Sequence, residues 1–128
     1  MAKILLIDDD EQVLKVVTSF LERVDHEVLT AVDGKKAIKL LESQPFDLVI
    51  TDVIMPEQDG LGVLMWLMIH ANRQKVIVMS GGSVSMDQNF LFDMCKKLRA
   101  SKVLPKPVDF EMLTSAVREV LESEGGVN

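Results

Sequence analysis

Short apolar runs alternate along this chain with longer stretches whose apolar residues recur at helical spacing. Ile4 to Ile7 is apolar throughout, the pattern of a strand buried on both faces. Val13, Leu14, Val16, Val17, Phe20, Leu21 and Val24 then make one apolar stripe and predict a helix. Glu27 to Ala31 reads as a second strand, and Gly34 opens a second helix carrying Ala37, Ile38, Leu40 and Leu41. Pro45 breaks that helix, and Asp47-Leu48-Val49-Ile50-Thr51 is a third strand. Gly60 and Gly62 lead into a third helix through Leu64 and Leu67, and Val76-Ile77-Val78-Met79 is a fourth strand. A helix is predicted around Asp87 to Leu98, followed by a short fifth strand, Lys102-Val103-Leu104, cut off by Pro105 and Pro107. Asp109 is placed to cap a last helix bearing Met112, Leu113, Ala116, Val117, Val120 and Leu121, and the tail from Glu124 to Asn128 reads as frayed.

Five strands alternating with five helices give an α/β fold, with a parallel sheet covered on both faces. Right-handed crossovers leave few arrangements, and the length selects a flavodoxin-like, doubly wound five-stranded sheet in the order 2-1-3-4-5. The chain is 128 residues long and shows neither repeat nor linker, so residues 1–128 read as one domain with no output domain. A net charge of −6 argues against a nucleic-acid surface and against docking on an anionic membrane. Cys95 is a lone thiol and cannot form an internal disulfide, which fits a reducing compartment. The apolar run at the N-terminus is too short for a signal peptide or a membrane span, so the expectation is a soluble, cytoplasmic protein.

In open parallel sheets, sites lie beyond the carboxyl ends of the strands, where strand order reverses. Asp8, Asp9 and Asp10 follow the first strand, Asp52 the third, Ser80 the fourth and Lys106 the fifth. Carboxylates brought together repel one another, and a hard divalent cation with oxygen ligands relieves this. A carboxylate can attack phosphorus, and a hydroxyl and an ammonium are the partners a bound phosphoryl group needs. Each residue alone has an ordinary explanation: a strand-end Asp caps the next helix, a strand-end Ser makes a turn, and a lone Lys is solvated. Agreement across four strand ends is what favours chemistry.

Asp8-Asp9, Asp52, Met55-Pro56 with Asp59-Gly60, Ser80-Gly81 and Lys106-Pro107 together resemble the receiver domain of bacterial two-component response regulators, over essentially the whole chain. The resemblance implies that Asp52 is the phosphoacceptor. It implies that Asp8, Asp9, Asp52 and the backbone carbonyl of Ile54 hold Mg2+, with Mn2+ able to substitute. Ser80 would move toward the phosphoryl group, Lys106 would neutralise it, and the Lys106–Pro107 bond would be cis. It further implies a histidine kinase or histidine phosphotransfer protein as donor and a downstream protein partner, with no direct nucleic-acid or membrane contact. The protein would be a monomer or weak dimer that catalyses its own phosphorylation and dephosphorylation without turning over a separate substrate. Met1 and the short tail fit a free single-domain regulator better than a receiver cut from a longer one.

The chain departs from the family pattern at Val103, where an aromatic residue is common, and at Arg99, where a glycine is usual. Ile54 and Gly82 flank the expected phosphoryl site without a polar side chain to orient water, which implies slow loss of the phosphoryl group. The third helix, Leu61 to Ile69, is apolar nearly all round, and Phe90-Leu91-Phe92 with Met94 is also rich. Either a thick core or a docking surface accounts for them. His26 and His70 fall away from the strand ends that carry the site, and Cys95 reads as an ordinary helix residue. Two other readings remain open. Asp8 and Asp10 form the Asp-x-Asp of haloacid-dehalogenase-like phosphatases, although Gln12 and the lack of room for a cap domain count against that. A flavin-binding flavodoxin is disfavoured by the acidic mouth and the absence of tyrosine.

Overall fold

Five parallel strands form one sheet in a computed structural model, which describes residues 1–52, 59–71, 73–80 and 102–123. They are β1 (Lys3–Ile7), β2 (Glu27–Ala31), β3 (Leu48–Asp52), β4 (Val76–Ser80) and β5 (Lys102–Pro105), in the order β2-β1-β3-β4-β5. The described helices are α1 (Glu11–Arg23), α2 (Gly34–Ser43), α3 (Asp59–His70) and α4 (Phe110–Glu122). The helix expected around Asp87 to Leu98 lies outside the described residues. The sheet order and the doubly wound α/β architecture are those the sequence predicts.

Alternation along the strands explains the two layers. Ile4 and Leu6 of β1, with Leu48 and Ile50 of β3, face one side and pack against Leu14, Val17 and Leu21 of α1 and Leu113, Ala116 and Val117 of α4. Leu5, Ile7 and Val49 face the other side, against Ala37 of α2 and Val63, Leu64 and Leu67 of α3. Both faces of the central strands are therefore dry, as their unbroken apolar runs require.

Three helices begin on an aspartate cap. Asp10 accepts the Gln12 N–H at 2.9 Å, Asp33 the Lys36 N–H at 2.8 Å and Asp109 the Met112 N–H at 2.7 Å. Each such cap contributes about 1 kcal/mol. Because every helix in a parallel sheet starts where a strand ends, these caps line the rim on which the functional side chains stand.

The opposite rim is closed by different contacts. Lys75 Nζ donates to the carbonyls of Leu121 and Ser123 at 2.7 and 2.8 Å, tying the start of β4 to the end of α4. Asp47 Oδ2 accepts the Lys3 N–H at 2.7 Å, and His26 Nδ1 accepts the Ala2 N–H at 3.0 Å. Burial first, then the N-terminal ammonium, push His26 below its ordinary value of 6.5, against a smaller opposing pull from Asp25. The unfolded chain therefore binds this proton more readily than the folded one. The resulting stability is present above pH 6.5 and is lost as pH falls from there toward the lower folded value. Urea midpoints between pH 7 and pH 5 should fall less steeply in His26→Gln, which keeps an acceptor but does not titrate. An unchanged slope would remove His26 as the cause.

On α3, Val63, Leu64 and Leu67 are fully buried, while Met65 and Ile69 are 52% and 74% exposed. One helix face meets the sheet, so an all-apolar helix must leave part of itself in water. His70 stacks on Trp66 with ring centroids 4.6 Å apart, and it stands far from the strand ends of the acidic rim.

Candidate phosphoacceptor and metal site

The chain leaves β1 toward β2 on one side and β3 toward β4 on the other, so a crevice opens between the carboxyl ends of β1 and β3. Asp8 follows β1 and Asp52 ends β3, which brings both carboxylates to that crevice. The Asp8 side chain is fully buried, and Asp52 is 4% exposed. Asp9 lies on the exposed side, and one oxygen from each of Asp8, Asp9 and Asp52 falls within a cluster spanning no more than 4.8 Å.

Backbone contacts hold Asp8 in place. Its N–H donates to the Ala31 carbonyl at 3.2 Å, and its Oδ1 accepts the Asp10 N–H at 2.9 Å. Lys106 reaches the same point from the end of β5. Its Nζ donates to Asp52 Oδ2 at 2.9 Å and lies 2.8 Å from Asp8 Oδ2. The Asp8 contact is between charges, and Oδ2 receives no well-directed hydrogen bond. Burial lowers the Lys106 pKa, but Asp8 and Asp52 outweigh it and hold the ammonium above its ordinary 10.5. Asp9 is pushed up from 3.8 by burial and then by the charge of Asp8, with Asp52 adding to it. Three carboxylates face one ammonium, so among the described residues the crevice carries two more negative charges than Lys106 neutralises.

The donor set is suited to a hard cation. All three side chains offer carboxylate oxygens, and together they outnumber the one ammonium set among them, so Mg2+ fits these residues. Ser80 ends β4 half-buried, and its carbonyl accepts the Lys106 N–H at 2.9 Å. Its hydroxyl makes no hydrogen bond among the described residues. The structure thus brings Asp8, Asp9, Asp52 and Lys106 into contact and leaves Ser80 on the adjacent strand end. The Lys106–Pro107 peptide is cis. Ile54, Met55, Pro56, Gly81, Gly82, Cys95 and Arg99 lie outside the described residues, as do Phe90, Leu91, Phe92 and Met94.

Two neighbours of the site were not legible as such. Thr51 is a fully buried hydroxyl beside the site, hidden in the sequence by a strand that is otherwise apolar. An apolar cleft of about 410 Å³ borders Lys106, lined by Val13 and Val16 of α1, Met79, Pro107 and Val108. The apolar stripe of α1 is its only trace in the sequence. Asp10, the third of the acidic run, turns its carboxylate to the start of α1, where it serves as the cap.

Comparison with known proteins agrees with this geometry. A family model described as the response regulator receiver domain matches residues 4–118. The chain is 35% identical over 124 residues to the DNA-binding transcriptional regulator NtrC of Azospirillum brasilense, covering 95% of this chain and 24% of that protein. It is 31% identical over 121 residues to the transcriptional regulatory protein CpxR of Escherichia coli K12, covering 94% of this chain and 50% of that protein. The chain therefore spans between a quarter and a half of these curated relatives. Among solved structures, a receiver domain protein from Clostridium thermocellum superposes with a TM-score of 0.82 at 29% identity, covering 94% of each chain. The chemotaxis protein CheY4 of Vibrio cholerae gives a TM-score of 0.81 at 26% identity, covering 94% of this chain and 98% of that one.

Proposed function

The chain belongs to the response regulator receiver family of two-component systems, and from that premise we propose that it accepts a phosphoryl group on Asp52 and thereby changes its affinity for a protein partner. The donor is a histidine kinase or a histidine phosphotransfer protein. One observation carries the reading: the Lys106 ammonium lies on both Asp52 and Asp8, with Asp9 completing a carboxylate cluster within 4.8 Å. That is a nucleophile, a countercharge and a cation site in one crevice.

Asp8, Asp9 and Asp52 would hold Mg2+, which when bound would supply positive charge against the oxygens of the incoming phosphoryl group. An Asp52 carboxylate oxygen attacks phosphorus in line, a P–O bond forms, and the bond to the donor's leaving group breaks. Lys106 keeps its proton and stays on the negative charge that has moved outward from Asp52. The Ser80 hydroxyl donates to a phosphoryl oxygen, and because Ser80 is bonded to Lys106 through the backbone, both strand ends respond together. The cleft between α1 and the segment after β5 gives a donor's helix an apolar seat beside Lys106. The phosphorylated and unphosphorylated forms are two populations, and partner affinity follows their difference, about 1–3 kcal/mol in such coupling. The protein turns over no separate substrate on this reading.

Intact mass after incubation with acetyl phosphate tests the proposal. A single phosphoryl adduct is expected with Mg2+ and none with EDTA. An adduct of equal yield in EDTA would overturn the metal-dependent mechanism.

A further inference from the structure

We infer that Thr51 is a positioning residue that aims the Asp52 carboxylate, an assignment that rests on the phosphoacceptor reading and deepens it. Strand β3 is buried along its length, and Leu48, Val49 and Ile50 fill it with apolar side chains. Thr51 follows them, is fully buried, and pairs in register with Ile7 of β1 and Val78 of β4. Valine would match its shape and carry no desolvation cost, whereas a buried hydroxyl is costly unless it is hydrogen-bonded. Here it is bonded: Thr51 Oγ1 donates to the Asp52 carbonyl at 3.1 Å.

The placement of that bond gives it a purpose. It closes a ring running from Oγ1 through Cβ, Cα and C of Thr51 to N, Cα, C and O of Asp52. The soft torsions inside that ring are ψ of Thr51 and both φ and ψ of Asp52. The Thr51 side chain is itself stiff at χ1 because it is β-branched. Holding ψ of Thr51 and φ of Asp52 fixes the direction of the Asp52 Cα–Cβ bond relative to the strand, and so where its carboxylate stands relative to Asp8 and Lys106. Valine would fill the same space without closing the ring. The energetic stake of such a bond is comparable to about a tenfold change in rate, and small misplacements of a reacting group are costly.

The test compares the chain with Thr51→Val, Thr51→Ser and Thr51→Ala. It measures the rate of phosphoryl uptake from acetyl phosphate at saturating Mg2+, Mg2+ affinity by calorimetry, and the thermal midpoint. Thr51→Val should lose about tenfold in uptake rate and bind Mg2+ more weakly, with a midpoint near that of the parent. Thr51→Ser, which keeps the hydroxyl and loses only a methyl group, should recover both functional readouts despite a lower midpoint. A change confined to the thermal midpoint would make Thr51 a packing residue only, and a serine variant as slow as the valine one would overturn the role of the hydroxyl. If the valine variant does not fold, serine against alanine asks the same question. If the parent chain takes up no phosphoryl group, the phosphoacceptor reading falls. Thr51 is then judged on Mg2+ affinity alone, which must still drop in valine and return in serine.

Discussion

Replacing Asp52 by Asn should abolish the phosphoryl adduct altogether while leaving a folded protein. An amide oxygen is a poor nucleophile and cannot form the acyl phosphate, so no residual uptake is expected from this position. The fold should survive because two effects oppose each other. The charge-assisted bond from Lys106 to Asp52 is weakened, but a negative charge is also removed from a crevice where Asp9 is already pushed up by its neighbours. Asp8 keeps its ion pair with Lys106. Stability should therefore change by no more than about 1 kcal/mol. Mg2+ affinity should drop by at least about tenfold, because cation affinity follows the charge of the ligand set. Intact mass and Mg2+ titration of the variant check all of this. An adduct that persists in Asp52→Asn would move the nucleophile to Asp8 and favour the phosphatase-like alternative.

Replacing Lys106 by Met has the opposite profile: a large loss of stability that Mg2+ repairs. In the metal-free protein the ammonium is the countercharge for a fully buried Asp8 and a nearly buried Asp52. Taking away one partner of such a set leaves carboxylates in a dry site without compensation. Lys106 is 21% exposed, so water softens the effect, and a cost of about 2–3 kcal/mol is expected. Methionine keeps the length and apolar stem of lysine, which isolates the charge. Mg2+ would restore positive charge at the same carboxylates and would no longer compete with an ammonium there. Its binding should tighten, and the stability gap to the parent should narrow as Mg2+ rises toward saturation. Urea midpoints with and without Mg2+ read this directly. Equal midpoints for parent and variant in EDTA would show that the carboxylates do not depend on Lys106.

The readability of this protein differs from element to element. The strands were legible because central strands of a parallel sheet must be apolar on both faces, and Ile4–Ile7 and Val76–Met79 are. Strand β3 runs one residue later than its pattern indicates, to Asp52, because ladder pairing with Met79 carries the strand past its last apolar residue. The cap of α4 at Asp109 was legible, whereas that of α1 was masked by three consecutive aspartates with three different fates. Asp8 is buried in an ion pair, Asp9 stands on the exposed side, and Asp10 caps the helix. Position along the chain does not distinguish them. The direction in which β1 gives way to α1 does.

The sequence alone carried the architecture and the list of participants, since hydrophobic periodicity is local and the residues after each strand can be read in order. Which participants touch was a tertiary matter. Asp8, Asp52 and Lys106 are 44 and 54 positions apart along the chain, and only the strand order β2-β1-β3-β4-β5 brings them within 2.9 Å of a shared ammonium. Lys75 illustrates the same limit away from the site: nothing local to it announces that the fold sets it beneath the end of α4. Thr51 is the sharpest case. Its hydroxyl is one atom among apolar neighbours, and its significance depends on burial and on a carbonyl one residue away, both of which exist only once the sheet has formed.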